Sequence, residues 1–126
     1  MKLNLETIIF YVQDVEKLKA FYTGILGLEV IEYHPSDWVL LRAGNCCIGL
    51  HKIGDPYLHK IKDGYKFDNN AKIVFQIEED IHKARKLLID KNIPMREVKT
   101  FDNYPFWLCD GEDPEGNVFQ LKQGKL

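Results

Sequence analysis

The sequence predicts an α+β fold made of two modules, each running strand–helix–strand–strand–strand. Three observations carry this. Apolar, β-branched and aromatic runs of strand length recur along the chain. Two segments, one after Asp14 and one after Asp80, instead repeat their apolar residues at helical spacing. The order of elements in the first half then returns in the second, in punctuation more than in letters.

The first strand is ETIIFYV, 6–12. Asp14 follows as an N-cap, since a short carboxylate there can accept from the first free amides of a helix. Val15, Leu18, Phe21, Tyr22 and Ile25 give that helix one apolar face. Gly27 ends it, as the residue that enters left-handed backbone without a Cβ penalty. LEVIEYH (28–34), WVLLRA (38–43) and CCIGLHK (46–52) are three more strands, parted by turns at 35–37 and at Gly44-Asn45. Residues 53–71 have no clear period, and a connection this long is read as a linker or a lid.

In the second half KIVFQI, 72–77, is a strand. Asp80 caps a helix carrying Ile81, Ala84, Leu87 and Leu88, and Asn92 takes the place that Gly27 held. Pro94 bars continuation of the helix. PMREVKT (94–100), FWLCD (106–110) and NVFQLKQ (117–123) complete the module, the last two joined by Asp113-Pro114-Glu115-Gly116, a tight-turn sequence.

A chain of 126 residues suits one domain, 1–126, and buries enough surface to fold without a disulfide or structural metal. The net charge of −2 leaves no electrostatic footprint for nucleic acid or an anionic membrane. No apolar run approaches the length of about 18 residues that a membrane span needs. The N-terminus turns acidic too early for a secretory signal, so a soluble, cytoplasmic protein is expected. Cys46, Cys47 and Cys109 are odd in number and lack CxxC spacing, so reduced thiols are expected.

Strand parity assigns faces. Ile8, Phe10 and Val12, then Cys46, Ile48 and Leu50, then Ile73, Phe75 and Ile77, then Phe119 and Leu121 form apolar faces suited to packing under the helices. The opposite faces are mixed: Thr7, Ile9 and Tyr11; Cys47, Gly49 and His51; Lys72, Val74 and Gln76; Val118, Gln120 and Lys122. Such a face can meet solvent. If its sheet curls, it can instead line a small-molecule cleft.

FYVQDVEKLKAFYTGILGLEV (10–30) and DGEDPEGNVFQL (110–121) resemble the vicinal-oxygen-chelate superfamily of glyoxalase I, fosfomycin- and bleomycin-resistance proteins and extradiol dioxygenases. The resemblance covers essentially the whole chain. It implies two βαβββ modules whose mixed sheets curl around a central cup, with helices outside, and it implies a homodimer. It also implies a divalent metal held by His and Glu side chains, acting as a Lewis acid on substrate oxygens. Carried over by residue, the ligand positions fall on Thr7, Gly49, Lys72 and Gln120. Threonine and amide oxygens are weak neutral donors, glycine has no side chain, and an ammonium repels a cation. No cofactor is therefore expected, a divalent metal on other ligands being the alternative.

Lys72 could hold an anionic oxygen with Thr7 and Gln120 as hydrogen-bonding neighbours. The plainer reading is a strand-start lysine that snorkels to water. His51 is a candidate acid/base group or a solvated strand-end histidine. His34 and His82 fall at a strand end and on an exposed helix. A relocated metal site on His51, His59 and Cys47 is the remaining metal option. Tyr11, Trp38 and Trp107, with Tyr57 and Tyr65, could stack on a flat ligand, or the two tryptophans could be core or interface residues. The expected function is metal-independent binding of a small, largely apolar or aromatic molecule by Thr7, Ile9, Tyr11, Trp38, Cys47, Gly49, His51, Lys72, Val74, Trp107 and Gln120. The alternative is an enzyme with unorthodox metal ligands, or one using Lys72 and His51 in acid/base catalysis.

Overall fold

A computed structural model describes residues 1–58, 65–66 and 70–126. The chain forms two compact units, Met1–Tyr65 and Lys66–Leu126. Among the described residues no helix is long and apolar enough to cross a membrane.

The first unit contains β1 (Thr7–Val12), α1 (Val15–Ala20), β2 (Glu29–His34), β3 (Trp38–Ala43), β4 (Cys46–Lys52) and the short α2 (Asp55–Leu58). Its sheet has the order β1-β4-β3-β2, parallel between β1 and β4 and antiparallel elsewhere. Asp14 caps α1 by accepting from the Lys17 amide at 3.0 Å. The helix then widens into one π turn, Phe21–Ile25, where the Leu26 amide reaches back to the Phe21 carbonyl. Gly27 ends it at φ 77°. Val15, Leu18, Phe21 and Tyr22 are buried, as are Val12, Val39, Leu41, Ile48 and Leu50 on one face of the sheet. Val12, Ile48 and Leu50 lie on the faces the alternation predicts to be buried, whereas Ile8, on the same face of β1, is 39% exposed.

The second unit contains β5 (Lys72–Gln76), α3 (Ile81–Asp90), β6 (Phe106–Glu112) and β7 (Val118–Gly124), with sheet order β5-β7-β6. β5 runs parallel to β7, and β6 antiparallel to it. Asp80 caps α3 through the Lys83 amide at 3.0 Å, and Asn92 takes the left-handed position at φ 63°. Ile81 and Leu88 are buried with Cys109, Phe119 and Leu121, whereas Leu87 is 54% exposed and lies off the buried stripe of α3. The β6–β7 turn is held by Asp113, whose carboxylate accepts from the amides of Glu115 and Asn117 and from the Asn117 side chain.

One predicted strand is corrected. Residues 94–100 make only two isolated bridges to β6, Met95 with Gly111 and Lys99 with Leu108. The register slips by one residue between them. The reason is the Arg96 carbonyl, which leaves the ladder to accept from Arg85 Nε at 2.8 Å and from the Cys109 thiol at 3.3 Å. The same slip occurs in the first unit, where Val30 pairs with Leu41 but Glu32 with Leu40. There the strand survives it. The three cysteines are free thiols, as expected.

Candidate functional site

Each unit carries its own set of candidate residues on the sheet face opposite its helix. In the first, β4 lies between β1 and β3, so Gly49 is flanked by Ile9 on one side and Leu40 on the other. Two residues along, His51 is flanked by Tyr11 and Trp38. The His51 ring lies 5.4 Å from that of Tyr11 and 5.9 Å from that of Trp38, tilted to both. The Trp38 indole leans back over Gly49. A Cβ at position 49 would strike Trp38 Cη2 and stand 2.8 Å from Trp38 Cζ3, closer than real contacts allow, with Ile9 Cγ1 a tight 3.2 Å away. Glycine is thus what lets the indole lie against the sheet. Glu32 on β2 accepts from Trp38 Nε1 at 3.1 Å and fixes the ring's direction.

His51 has a defined tautomer. Its Nδ1 lies 2.8 Å from the Lys52 carbonyl, which can only accept, so Nδ1 carries the proton. Nε2 is then the ring nitrogen left to meet solvent or ligand. A shallow depression of about 400 Å³ opens beside it, lined by Asp37, His51, Lys52, Ile53, Gly54 and Asp55. Around the indole, Ile9 is 47% and Tyr11 63% exposed, so the surface is apolar, aromatic and open. Thr7 and Cys47 pair at the far end of the same face.

The second unit presents a polar cluster. Gln120 on β7 is flanked by Val74 on β5 and Asp110 on β6. Asp110 is buried, and both of its carboxylate oxygens are used. Oδ1 accepts from Gln120 Nε2 and Oδ2 from Lys72 Nζ, each at 2.8 Å. Arg96 approaches Oδ2 at 3.8 Å. Burial pushes the Asp110 carboxyl up, but the hydrogen bonds from Lys72 and Gln120, with the charges of Lys72 and Lys99, outweigh it. They hold the group below the usual carboxylate value.

Asp110 is the residue that the sequence reading missed. A signal for it existed. The Asp113–Gly116 turn closes with Asp113 N donating to the Asn117 carbonyl, and counting outward from that pair sets Asp110 opposite Gln120. Lys72 is correspondingly not a lone snorkelling cation but an ion-pair partner.

The structure thus brings Ile9, Tyr11, Trp38, Gly49 and His51 together in the first unit, and Lys72, Val74 and Gln120 in the second. Trp107 is corrected. It stands on the other face of its sheet, 6.0 Å from the His82 ring on α3 and under Lys125. His34 and Trp38 are paired across β2 and β3. His59 lies outside the described residues, as do 60–64 and 67–69 of the connection expected to be a linker or lid. Among the described residues no group of three His, Cys, Asp or Glu side chains is placed to hold a metal ion.

Against this geometry stand the comparisons with known proteins. The family model of the Glyoxalase/Bleomycin resistance protein/Dioxygenase superfamily matches residues 4–121. A lactoylglutathione lyase from Agrobacterium tumefaciens superposes with a TM-score of 0.74 at 18% identity, over 97% of this chain and 94% of that one. TnmS3, an antibiotic binding protein from Streptomyces sp. CB03234, gives 0.73 at 16% identity, over 98% of each chain. The fosfomycin resistance protein FosX from Listeria monocytogenes gives 0.71 at 20% identity, over 100% of this chain and 95% of that one. At these identities the likeness to the solved structures is one of fold.

Proposed function

This chain belongs to the Glyoxalase/Bleomycin resistance protein/Dioxygenase superfamily, and from that premise we propose that it binds a small, largely apolar or aromatic molecule without a metal ion. The observation that carries the reading is the Trp38 indole lying on Gly49, beside exposed Ile9 and Tyr11. Rings of this kind offer large contact area at low entropic cost. They cover Gly49, one of the positions on which the superfamily's metal ligands fall by resemblance.

The donor set of the superfamily's metal fits these residues poorly. Glycine at 49 brings no donor, and a longer side chain there would strike the indole. The Lys72 ammonium pairs with Asp110 and the Gln120 NH₂ donates to it, which leaves toward a metal only the neutral amide oxygen, a weak donor. A divalent ion arriving there would face a cation and the back of an occupied carboxylate. The antibiotic-binding and antibiotic-resistance proteins among its structural neighbours support binding as a role that this fold can serve. Action in the cytoplasm and as a homodimer completes the proposal, on the precedent of the superfamily.

Two measurements test it. Metal analysis of protein purified without chelator should find Zn²⁺, Ni²⁺, Mn²⁺ and Fe²⁺ well below one equivalent. Tryptophan emission should respond to planar aromatic compounds in the native protein and lose most of that response in Trp38→Phe. A stoichiometric metal, or a response carried wholly by Trp107, sinks the proposal.

A further inference from the structure

Lys72, Asp110 and Gln120 do more than fill a surface. An ionised carboxylate only accepts, so the Gln120 amide must turn its NH₂ toward Asp110. Its carbonyl oxygen, Oε1, is left facing the other way. Among the described residues no hydrogen bond reaches that oxygen and no fully buried side-chain polar atom lacks a partner; Gln120 is 9% exposed, so Oε1 keeps a small accessible edge on the sheet face. Lys72 uses one of its three donors on Asp110, and its side chain is 39% exposed, so other donors are available on the same face. Beside them Val74, the direct neighbour of Gln120, is half exposed and apolar.

The geometry points to a recognition element for neutral amides and similar groups that carry a carbonyl oxygen next to an N–H or O–H, attached to an apolar body. Lys72 donates to the ligand carbonyl, Gln120 Oε1 accepts from the ligand N–H, and Val74 meets the apolar part. Asp110 is a positioning residue: it touches no ligand but decides which end of the Gln120 amide is offered. It also pairs with the Lys72 ammonium, the nearer of the two cations at Oδ2, Arg96 standing 3.8 Å away. A ligand carboxylate therefore meets an ammonium already paired and a carbonyl oxygen that repels it. A site built to satisfy a donor discriminates against an analogue that lacks one. This ligand chemistry refines the binding reading above and rests on it.

The test is a titration of ¹⁵N-labelled protein with 2-naphthamide and with 2-naphthoate, following the Gln120 side-chain NH₂ and the amides of Lys72 and Val74. Wild type should take the naphthamide at least about tenfold more tightly. Asp110→Asn should reverse the order. The introduced amide can donate to Gln120 Oε1, which turns the Gln120 NH₂ outward and leaves the Lys72 charge uncompensated. Gln120→Leu, which removes the acceptor, should level the two affinities, and it decides the matter if Asp110→Asn does not fold. Equal or reversed affinities in wild type overturn the inference, as does an Asp110→Asn protein that keeps the wild-type order. Changes in Trp38 emission with none at Gln120 would overturn this assignment alone and leave the binding reading standing. Silence at both would end both.

Discussion

The two modules share the pairing plan of three strands, β1-β4-β3 and β5-β7-β6, with opposite chemistry on the sheet faces turned away from their helices. Across the first sheet, one row reads Ile9, Gly49, Leu40; across the second, the row in the same place reads Val74, Gln120, Asp110. The first row makes a seat for an indole. The second makes a hydrogen-bonded charge pair. Both are flanked by the same devices: an aspartate N-cap, a left-handed residue after the helix, and a one-residue slip next to the edge of the sheet. Pairing register and capping thus set where a side chain stands and leave its chemical type free.

The largest effect expected from breaking the contrast lies in the second module. Asp110→Ala strands the Gln120 amide in a buried place and frees Lys72. It should cost about 2–3 kcal/mol in chemical denaturation at neutral pH. A loss below roughly 0.5 kcal/mol, the level of ordinary surface changes, would show the cluster to be decorative.

Crowding comes next. Gly49→Ala should cost about 1–2 kcal/mol and shift Trp38 emission, because the indole must lift from the sheet. Gly111→Ala in the second module should cost a similar amount, since its new methyl would meet Met95 and Phe119. It should leave the emission of Trp38 unchanged. Identical spectra for the two variants would erase the distinction drawn between the modules.

A smaller effect concerns pH. The Asp110 carboxyl is depressed in the folded protein. Its contribution to stability is then complete above the unfolded value of about 3.9 and disappears as pH falls through the lower folded value. The stability gap between wild type and Asp110→Asn should be level from neutral pH down to mild acid and narrow only below about pH 4. Denaturation curves at several pH values check this, and a gap that widens in acid contradicts it. The smallest effect belongs to the caps: Asn92→Gly should change stability by no more than about 0.5 kcal/mol, because both residues tolerate left-handed backbone. Gly27→Ala, at φ 77°, should lose about 1 kcal/mol.

Much of this was legible in the letters. The runs WVLLRA and CCIGLHK became β3 and β4 with the bounds read from alternation and turn residues. Asp14, Asp80, Gly27 and Asn92 took their expected cap positions, because local backbone chemistry decides them. Three things were not legible, each for a non-local reason. PMREVKT looks like a strand, yet Arg85 on the helix takes the Arg96 carbonyl out of the ladder. Trp107 was grouped with Trp38 by residue type, although its parity sets it with Cys109 on the helix side. Asp110 was passed over as the tail of an apolar strand, and its importance appears only when β6 is folded back onto β7. The superfamily pattern pointed to Gln120 and Lys72 but was silent on the carboxylate that joins them.

The twin slips near β2 and residues 95–99 also bear on which borders could template an added strand. A foreign strand laid along either border would need its hydrogen bonds in one register at one end and in a register one residue away at the other. A straight extended segment cannot satisfy both, so these borders make poor templates for fibril growth.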